Sequence, residues 1–311
     1  MSVPTATVTT AVRTSASSSR RHSPGRVLQR TAPLIPAVVL LGMFLLGPIL
    51  YSLYGSLTDR AMSGYKAAAP QFVGLDNYVA LLSDPAFLKS ILLTAVFVFA
   101  SAIVGQNVLG MALAVLMRHC ARPLASLVGG IVVVAWALPE IVAAFACYAF
   151  FASEGTLNSM LAFIGLTGPK WLLTFPMLSV ILANVWRGTA FSMMQYNAAL
   201  AQVPPEVKES AAIDGASAAQ SFFRITLPII RRSIATNLML TTLQTLGVFT
   251  LIWVMTGGGP GTSSSTLPVL AYQEAFKFSQ VGYGTAIATV TLLVGAVFSV
   301  VYMKLLKPEV D

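Results

Sequence analysis

Charge is what this 311-residue chain has least of. Asp, Glu, Lys and Arg together make up 10% of it, against about 25% in an ordinary soluble domain. Hydrophobic residues make up 56%. That balance excludes a soluble enzyme of this length and a disordered chain, and it points to lipid as the surroundings. Cysteine and histidine are nearly missing: Cys120, Cys147, His22 and His119 are all there are. Such a set offers no disulfide framework, no metal cluster and no bis-histidine haem site, so the expected metal ligands are none. No Gly-Lys pair occurs anywhere. The Gly257–Gly261 run therefore lacks the lysine and hydroxyl of a phosphate-cradling loop and reads as a turn at a helix end. The chain is not expected to bind ATP or any other cofactor itself. No Asp or His falls inside a long apolar run, which excludes a two-aspartate intramembrane protease and a Ser-His hydrolase. No catalytic residue is expected, and a transport or structural role remains.

What the chain does have is a series of charge-free stretches. A helix crosses the hydrocarbon in about 20 residues, and in lipid the backbone must satisfy its own hydrogen bonds. Six spans follow, at about 34–57, 90–117, 125–152, 173–197, 232–256 and 281–304. The expected fold is all-α, a polytopic membrane protein with six transmembrane helices. Residues 1–30, rich in Ser, Thr and Arg, read as a flexible cytoplasmic tail, and 306–311 as a short C-terminal tail. The span domain is 31–305, and it contains a cytoplasmic loop at 201–230.

Lys and Arg set the orientation. With the N-terminus inside, thirteen of the nineteen basic residues lie on the cytoplasmic side, five lie outside, and Arg187 sits within a span. The positive-inside rule favours that arrangement, with both termini cytoplasmic. The net charge of +8 is then a topology signal and calls for no nucleic-acid partner. The first outer loop, "QFVGLDNYVALLSDPAFLKS", has an apolar side and suits a short helix at the outer interface.

Two charges fall within spans, Glu140 in "ALPEIVAAF" and Arg187 in "NVWRGTAF". A charge at that depth is costly and faces a partner or a watery cavity. Two readings stand: a buried Glu140–Arg187 pair, or separate roles lining a cavity. A cavity for a transported solute would be lined by mid-membrane polar and aromatic residues. Trp136 and Glu140 in the third span, Asn184 and Arg187 in the fourth, and Thr241, Gln244 and Thr245 in the fifth are candidates. Packing between helices by the same polar groups is the alternative for each.

The cytoplasmic loop is the most informative segment. Pro204–Pro205 with Glu206 and Glu209 suits a helix start. Gly215 permits a sharp turn, and Ser217 with Gln220 three residues on has the form of a capping box. Pro228 is expected to end the second short helix. The result is an elbow able to dock against another surface, or an amphipathic loop resting on the membrane.

The stretch "ESAAIDGASAAQSFFRITLPII" resembles the EAA loop of permease subunits in binding-protein-dependent ABC importers. The matching positions are Glu209, Ala211 and Ala212, then Asp214, Gly215 and Ala216, closing at Leu227–Pro228; Ser210 departs from the usual alanine. "FVGLDNYVALLSDPAF" and "WVMTGGGPGTSSSTLPVLAYQEAF" are similar to other segments of the carbohydrate branch, and the likeness runs over about 30–305. The resemblance implies the ABC importer type I permease fold in a bacterial cytoplasmic (inner) membrane. It implies the maltose-type subgroup, carrying a disaccharide with trehalose among the candidates. It further implies a second homologous permease, two ATPase subunits holding ATP and Mg, and an extracytoplasmic sugar-binding protein, with membrane lipid around the spans. By the same resemblance Glu209, Ala212, Asp214 and Gly215 couple to the ATPase, and Gln244, Thr245 and Val248 line the sugar cavity. A stand-alone secondary carrier is the competing reading; "PPEVKE" comes nearest to the mitochondrial carrier signature and fails at its last position.

Overall fold

The computed structural model describes residues 34–305, so the expected tails at 1–30 and 306–311 lie outside the described residues. All of its regular structure there is helical, apart from one isolated bridge between Thr58 and Phe72. The chain divides into two units, Met1–Leu50 and Tyr51–Asp311. Helix α1 runs Ile35–Ser56, and its portion in the first unit, up to Leu50, is apolar with no buried side chain.

The second unit is a helical bundle. A short helix α2 (Asp76–Ser83) precedes the long α3 (Pro85–His119). Asp84 caps α3 by accepting from the Ala86 amide at 2.8 Å, and Pro85 takes the first position, where its missing N–H costs nothing. Leu81 of the outer-loop helix α2 is buried with Phe87 of α3 and with Leu267, Leu270, Ala286 and Ile287. The polar side of α2 is tied down too, since Asn77 Nδ2 donates to the Ser56 and Thr58 carbonyls at 2.8 and 2.9 Å.

The third expected span is not one helix. It divides into α4 (Arg122–Ala137) and α5 (Glu140–Phe151), with Leu138 and Pro139 extended between them. Pro139 has no N–H to donate, and its ring pushes Leu138 out of the helical region. The fourth is a continuous helix, α6 (Pro176–Ala201). The loop that follows forms α7 (Pro205–Ile213) and α8 (Ala218–Ser221). Pro228 does not end the helical path. A π-turn at Phe222–Thr226 precedes it, Pro228 sits in a fresh first turn, and the break comes at Ile230. The fifth expected span is also broken, into α9 (Arg231–Leu246) and α10 (Thr250–Thr256), bent by 49°. The chain closes through α11 (Leu267–Tyr272) and α12 (Val281–Leu305).

Four described helical stretches are long and apolar enough to cross a membrane, and the bent α9–α10 pair would make a fifth. Helix α6 is 26 residues long; Asn184, Arg187, Gln195 and Asn197 make it too polar to qualify by composition. Its polarity follows from its position, because α6 runs through the bundle interior and packs along α3. At Gly110 a Cβ would lie 2.5 Å from the Ser192 Cβ and 2.9 Å from the Met193 backbone nitrogen. Only glycine allows so close an approach, the small-residue contact by which membrane helices associate.

Candidate functional site

The two helix breaks meet. Glu140 opens α5, and its Oε1 lies 3.4 Å from the Leu251 amide in the first turn of α10. Both helices turn their N-terminal ends, where unpaired N–H groups carry partial positive charge, toward one carboxylate. This explains how a carboxylate is tolerated there. The sequence placed Glu140 within a continuous span, whereas the structure puts it at the start of a half-helix. Discontinuous helices whose ends surround a polar group are the usual make-up of transporter binding sites.

Glu140 and Arg187 do not pair. Among the described residues the one ion pair is Lys66–Asp59, at 3.4 Å on an outer loop. There the Gln71 amide, followed by Lys66, holds the Asp59 carboxyl below its ordinary value. Arg187 is half-buried, and its Nε has no hydrogen-bond partner. Trp136, at the end of α4, stacks on Phe191 of α6 with centroids 6.2 Å apart. Phe191 follows Arg187 by one turn, so α4 closes over this part of α6.

The other polar candidates separate by burial. Gln244 is exposed, and Val248 is buried in the apolar core beside the α9–α10 break. Asn184, Thr241 and Thr245 are buried within a hydrogen-bonded seam joining α3, α6 and α9. Asn184 Nδ2 donates to Ser101 Oγ at 2.8 Å and to Thr245 Oγ1 at 3.4 Å, while the Asn184 backbone carbonyl accepts from Gln106 Nε2 at 3.1 Å. Asn107 donates to Thr241 Oγ1 at 3.3 Å and accepts from Tyr196 and Asn237. Asn237 also donates to Ser192 Oγ at 3.0 Å. Ser101, Gln106 and Asn107 were legible as polar residues in an otherwise apolar run; their partners were not.

A second group had no place in the sequence reading. Phe249 and Trp253, one turn apart on either side of the start of α10, stack at 5.8 Å. Tyr272 meets both, at 4.9 and 4.7 Å, and Phe276 extends the row at 5.2 Å. Lys277 Nζ stands 4.6 Å from the centre of the Trp253 ring, a cation–π contact. Nearby, burial raises the Glu274 carboxyl above its ordinary value, and the Asp84 charge adds to the rise.

The elbow at 201–230 has the expected local form. Gly215 has φ +80°, and the Ala216 amide reaches back to the Ala211 carbonyl at 2.9 Å, closing α7. Both capping-box bonds are present: the Gln220 amide donates to Ser217 Oγ at 3.3 Å, and the Ser217 amide donates to Gln220 Oε1 at 2.8 Å. Glu209, Ala212, Asp214 and Gly215 are all exposed. So are two large apolar residues flanking the turn, Ile213 at 86% and Phe223 at 66%.

Comparison with known proteins places this architecture. Residues 106–311 match the family described as binding-protein-dependent transport system inner membrane component. The chain belongs to that family. Its relatives include the sulfoquinovosyl glycerol transport system permease protein SmoG of Agrobacterium fabrum, 30% identical over 89% of each chain. The trehalose/maltose transport system permease protein MalF of Thermococcus litoralis is 30% identical over 87% of this chain and 91% of its own. The trehalose transport system permease protein SugA of Mycobacterium tuberculosis is 30% identical over 87% and 86%. Among solved structures, a chain of a bacterial ABC transporter involved in importing the acidic polysaccharide alginate superposes with a TM-score of 0.78. That match covers 92% of this chain and 99% of the other at 22% identity, a likeness of fold. A member of this permease family is a transporter component and carries no ATPase site of its own.

Proposed function

We propose that this chain is the permease subunit of an ATP-driven importer for a sugar or small glycoside. It forms half of the pathway beside a second, homologous permease, with both termini in the cytoplasm. The elbow at 201–230 docks on a separate ATPase that holds ATP and Mg, and an extracytoplasmic binding protein delivers the sugar. The carrying observation is the elbow's exposed apolar surface: Ile213 and Phe223 are uncovered, before and after a glycine turn of positive φ. A stand-alone carrier has no use for such a surface, whereas a subunit driven by a partner's movement needs one. Glu209, Ala212, Asp214 and Gly215 are the coupling residues in this reading.

The relatives' names, each naming a sugar or glycoside transporter, support sugar as the cargo class, with trehalose one candidate. In this reading Trp136, Glu140, Arg187 and Gln244 line the pathway, while Asn184, Thr241, Thr245 and the buried Val248 hold its wall. Purification of the tagged chain in mild detergent, with co-purifying chains identified by mass spectrometry, tests this. A second permease and an ATPase are expected. Recovery of the chain alone, moving solute in vesicles without ATP, would replace the importer with a secondary carrier.

A further inference from the structure

At the end of the bundle that carries the elbow lies a cavity of about 180 Å3. Arg118 and His119 line it from the last turn of α3, and Lys208 from α7. Leu200, Ser221 and Phe222 complete the wall used here. The lining includes cationic groups and the hydroxyls of Ser221 and Thr226 but no carboxylate, and none of its basic groups is in an ion pair among the described residues. His119 Nδ1 is held to the Val115 carbonyl at 2.8 Å, which fixes its ring.

Helix α7 sorts its charges between two sides. Lys208 is half-buried and one turn from buried Ala211, on the side facing the bundle. Glu206, Glu209 and Ile213 are exposed. Lys208 therefore belongs to the inner side of the elbow, not to the exposed side a docking protein would meet, and Arg118 and His119 face it from the exposed end of α3. The depth is informative as well. His119 ends α3 and Leu200 is one residue from the end of α6. Where two long membrane helices end, hydrocarbon gives way to headgroups. On α3, Leu109 and Leu116 are exposed seven residues apart and therefore in line along the helix.

We propose that this cavity holds the phosphate of an anionic phospholipid, of which phosphatidylglycerol is the simplest example. Arg118 and Lys208 take the phosphate charge, Ser221 offers a hydroxyl, and an acyl chain runs along Leu109 and Leu116. Basic pockets between membrane helices are suited to such headgroups. The lipid ties α7 to the end of α3, so the composition of the membrane sets how firmly the elbow is held to the bundle. The inference needs only the bundle's place in a membrane and is independent of which sugar is carried.

The test uses the full chain in its assembled complex, reconstituted in phosphatidylcholine vesicles containing a minority of phosphatidylglycerol. After gentle extraction, native mass spectrometry counts the retained lipids. The wild type is expected to retain phosphatidylglycerol in preference to phosphatidylcholine. Each charge near the surface is worth about a fivefold effect, so Arg118→Gln with Lys208→Gln is expected to cut that preference about twenty-five-fold. Arg118→Lys keeps the charge and is expected to keep the lipid. Arg224→Gln removes an exposed cation outside the cavity and is expected to change nothing. Equal retention by wild type and double variant would overturn the proposal, as would an equal loss in Arg224→Gln. Displacement of the lipid by excess inorganic phosphate would overturn the lipid in favour of a free anion. Loss of a co-purifying ATPase from the double variant with lipid retention unchanged would assign these cations to a protein interface instead.

Discussion

Glu140 offers the sharpest test of how the broken helices are held together. Two terms compete. A half-buried carboxylate loses hydration, which costs free energy, and the N-terminal ends of α5 and α10 give some of it back. The hydrogen bond to the Leu251 amide is long, 3.4 Å against the usual 2.9–3.0 Å, so its directional part is weak. The dipole term should dominate. A carboxylate at one helix N-terminus gains about 0.3–1 kcal/mol, and up to about 2 when partly buried. Two such ends on one group give about 1–2 kcal/mol. Glu140→Gln keeps the shape and a carbonyl acceptor but loses the charge. It should therefore destabilise the bundle by about 1–2 kcal/mol, a fall in Tm of roughly 2–8 °C for a unit of this size. Glu140→Asp keeps the charge near both ends and should fall by less. The assay is thermal unfolding of the purified chain in one detergent, followed by intrinsic tryptophan fluorescence. If Glu140→Gln melts at or above the wild-type temperature while Glu140→Asp falls, desolvation outweighs the dipoles and the reasoning fails.

Three further outcomes are expected. Gly110→Ala puts a methyl group against the Ser192 side chain and the Met193 backbone, and overpacking of this kind costs about 1–3 kcal/mol; Ser192→Gly in the same chain should recover part of the lost Tm. At Gly215 a Cβ meets nothing within 4 Å but φ is +80°, so Gly215→Ala pays only backbone strain of about 1–2 kcal/mol. Gly215→Asn should pay less, and uptake by the assembled importer should rank Gly above Asn above Ala above Val; unimpaired uptake in Gly215→Val would remove the turn from the coupling mechanism. Glu274 has its carboxyl raised, chiefly by burial and then by Asp84, so it favours the folded loop below the ordinary carboxylate range and loses that contribution as pH rises through the raised value. Melting profiles of Glu274→Gln and wild type should therefore converge at low pH and separate above it, with the variant the more stable.

The elbow was legible in the sequence because each of its signals is local. A glycine with positive φ, a serine three residues before a glutamine and a proline pair at a helix start all act within one or two turns, and all three appear where expected. The fault at Pro228 is also local. A proline in a helical path either stops it or makes it shift register, and the π-turn at Phe222–Thr226 takes the second course. The break at Leu138–Pro139 had a local signal as well, which the length of the surrounding apolar run outweighed. The α9–α10 break had almost none: Gly247 is the single weak point there, and no proline marks it.

What the sequence could not supply was which breaks and which polar groups meet. The amide of Leu251 needs an acceptor because α9 stops short of it, and the nearest one belongs to a residue 111 positions earlier in the chain. Asn107 and Tyr196, 89 apart, are in the same position, as are Asn107 and Asn237, 130 apart. In lipid an unpaired polar group is costly, so each of these residues had to find a partner, but the identity of the partner is set by how α3, α6 and α9 pack. A polar residue that finds its partner within the bundle, as Asn184 and Thr241 do, becomes part of a wall. The buried Nε of Arg187 finds no partner, and Glu140 faces two helix ends. Polar residues in adjacent helices thus divide into those tied into the bundle and those left without a side-chain partner by the geometry of their neighbours.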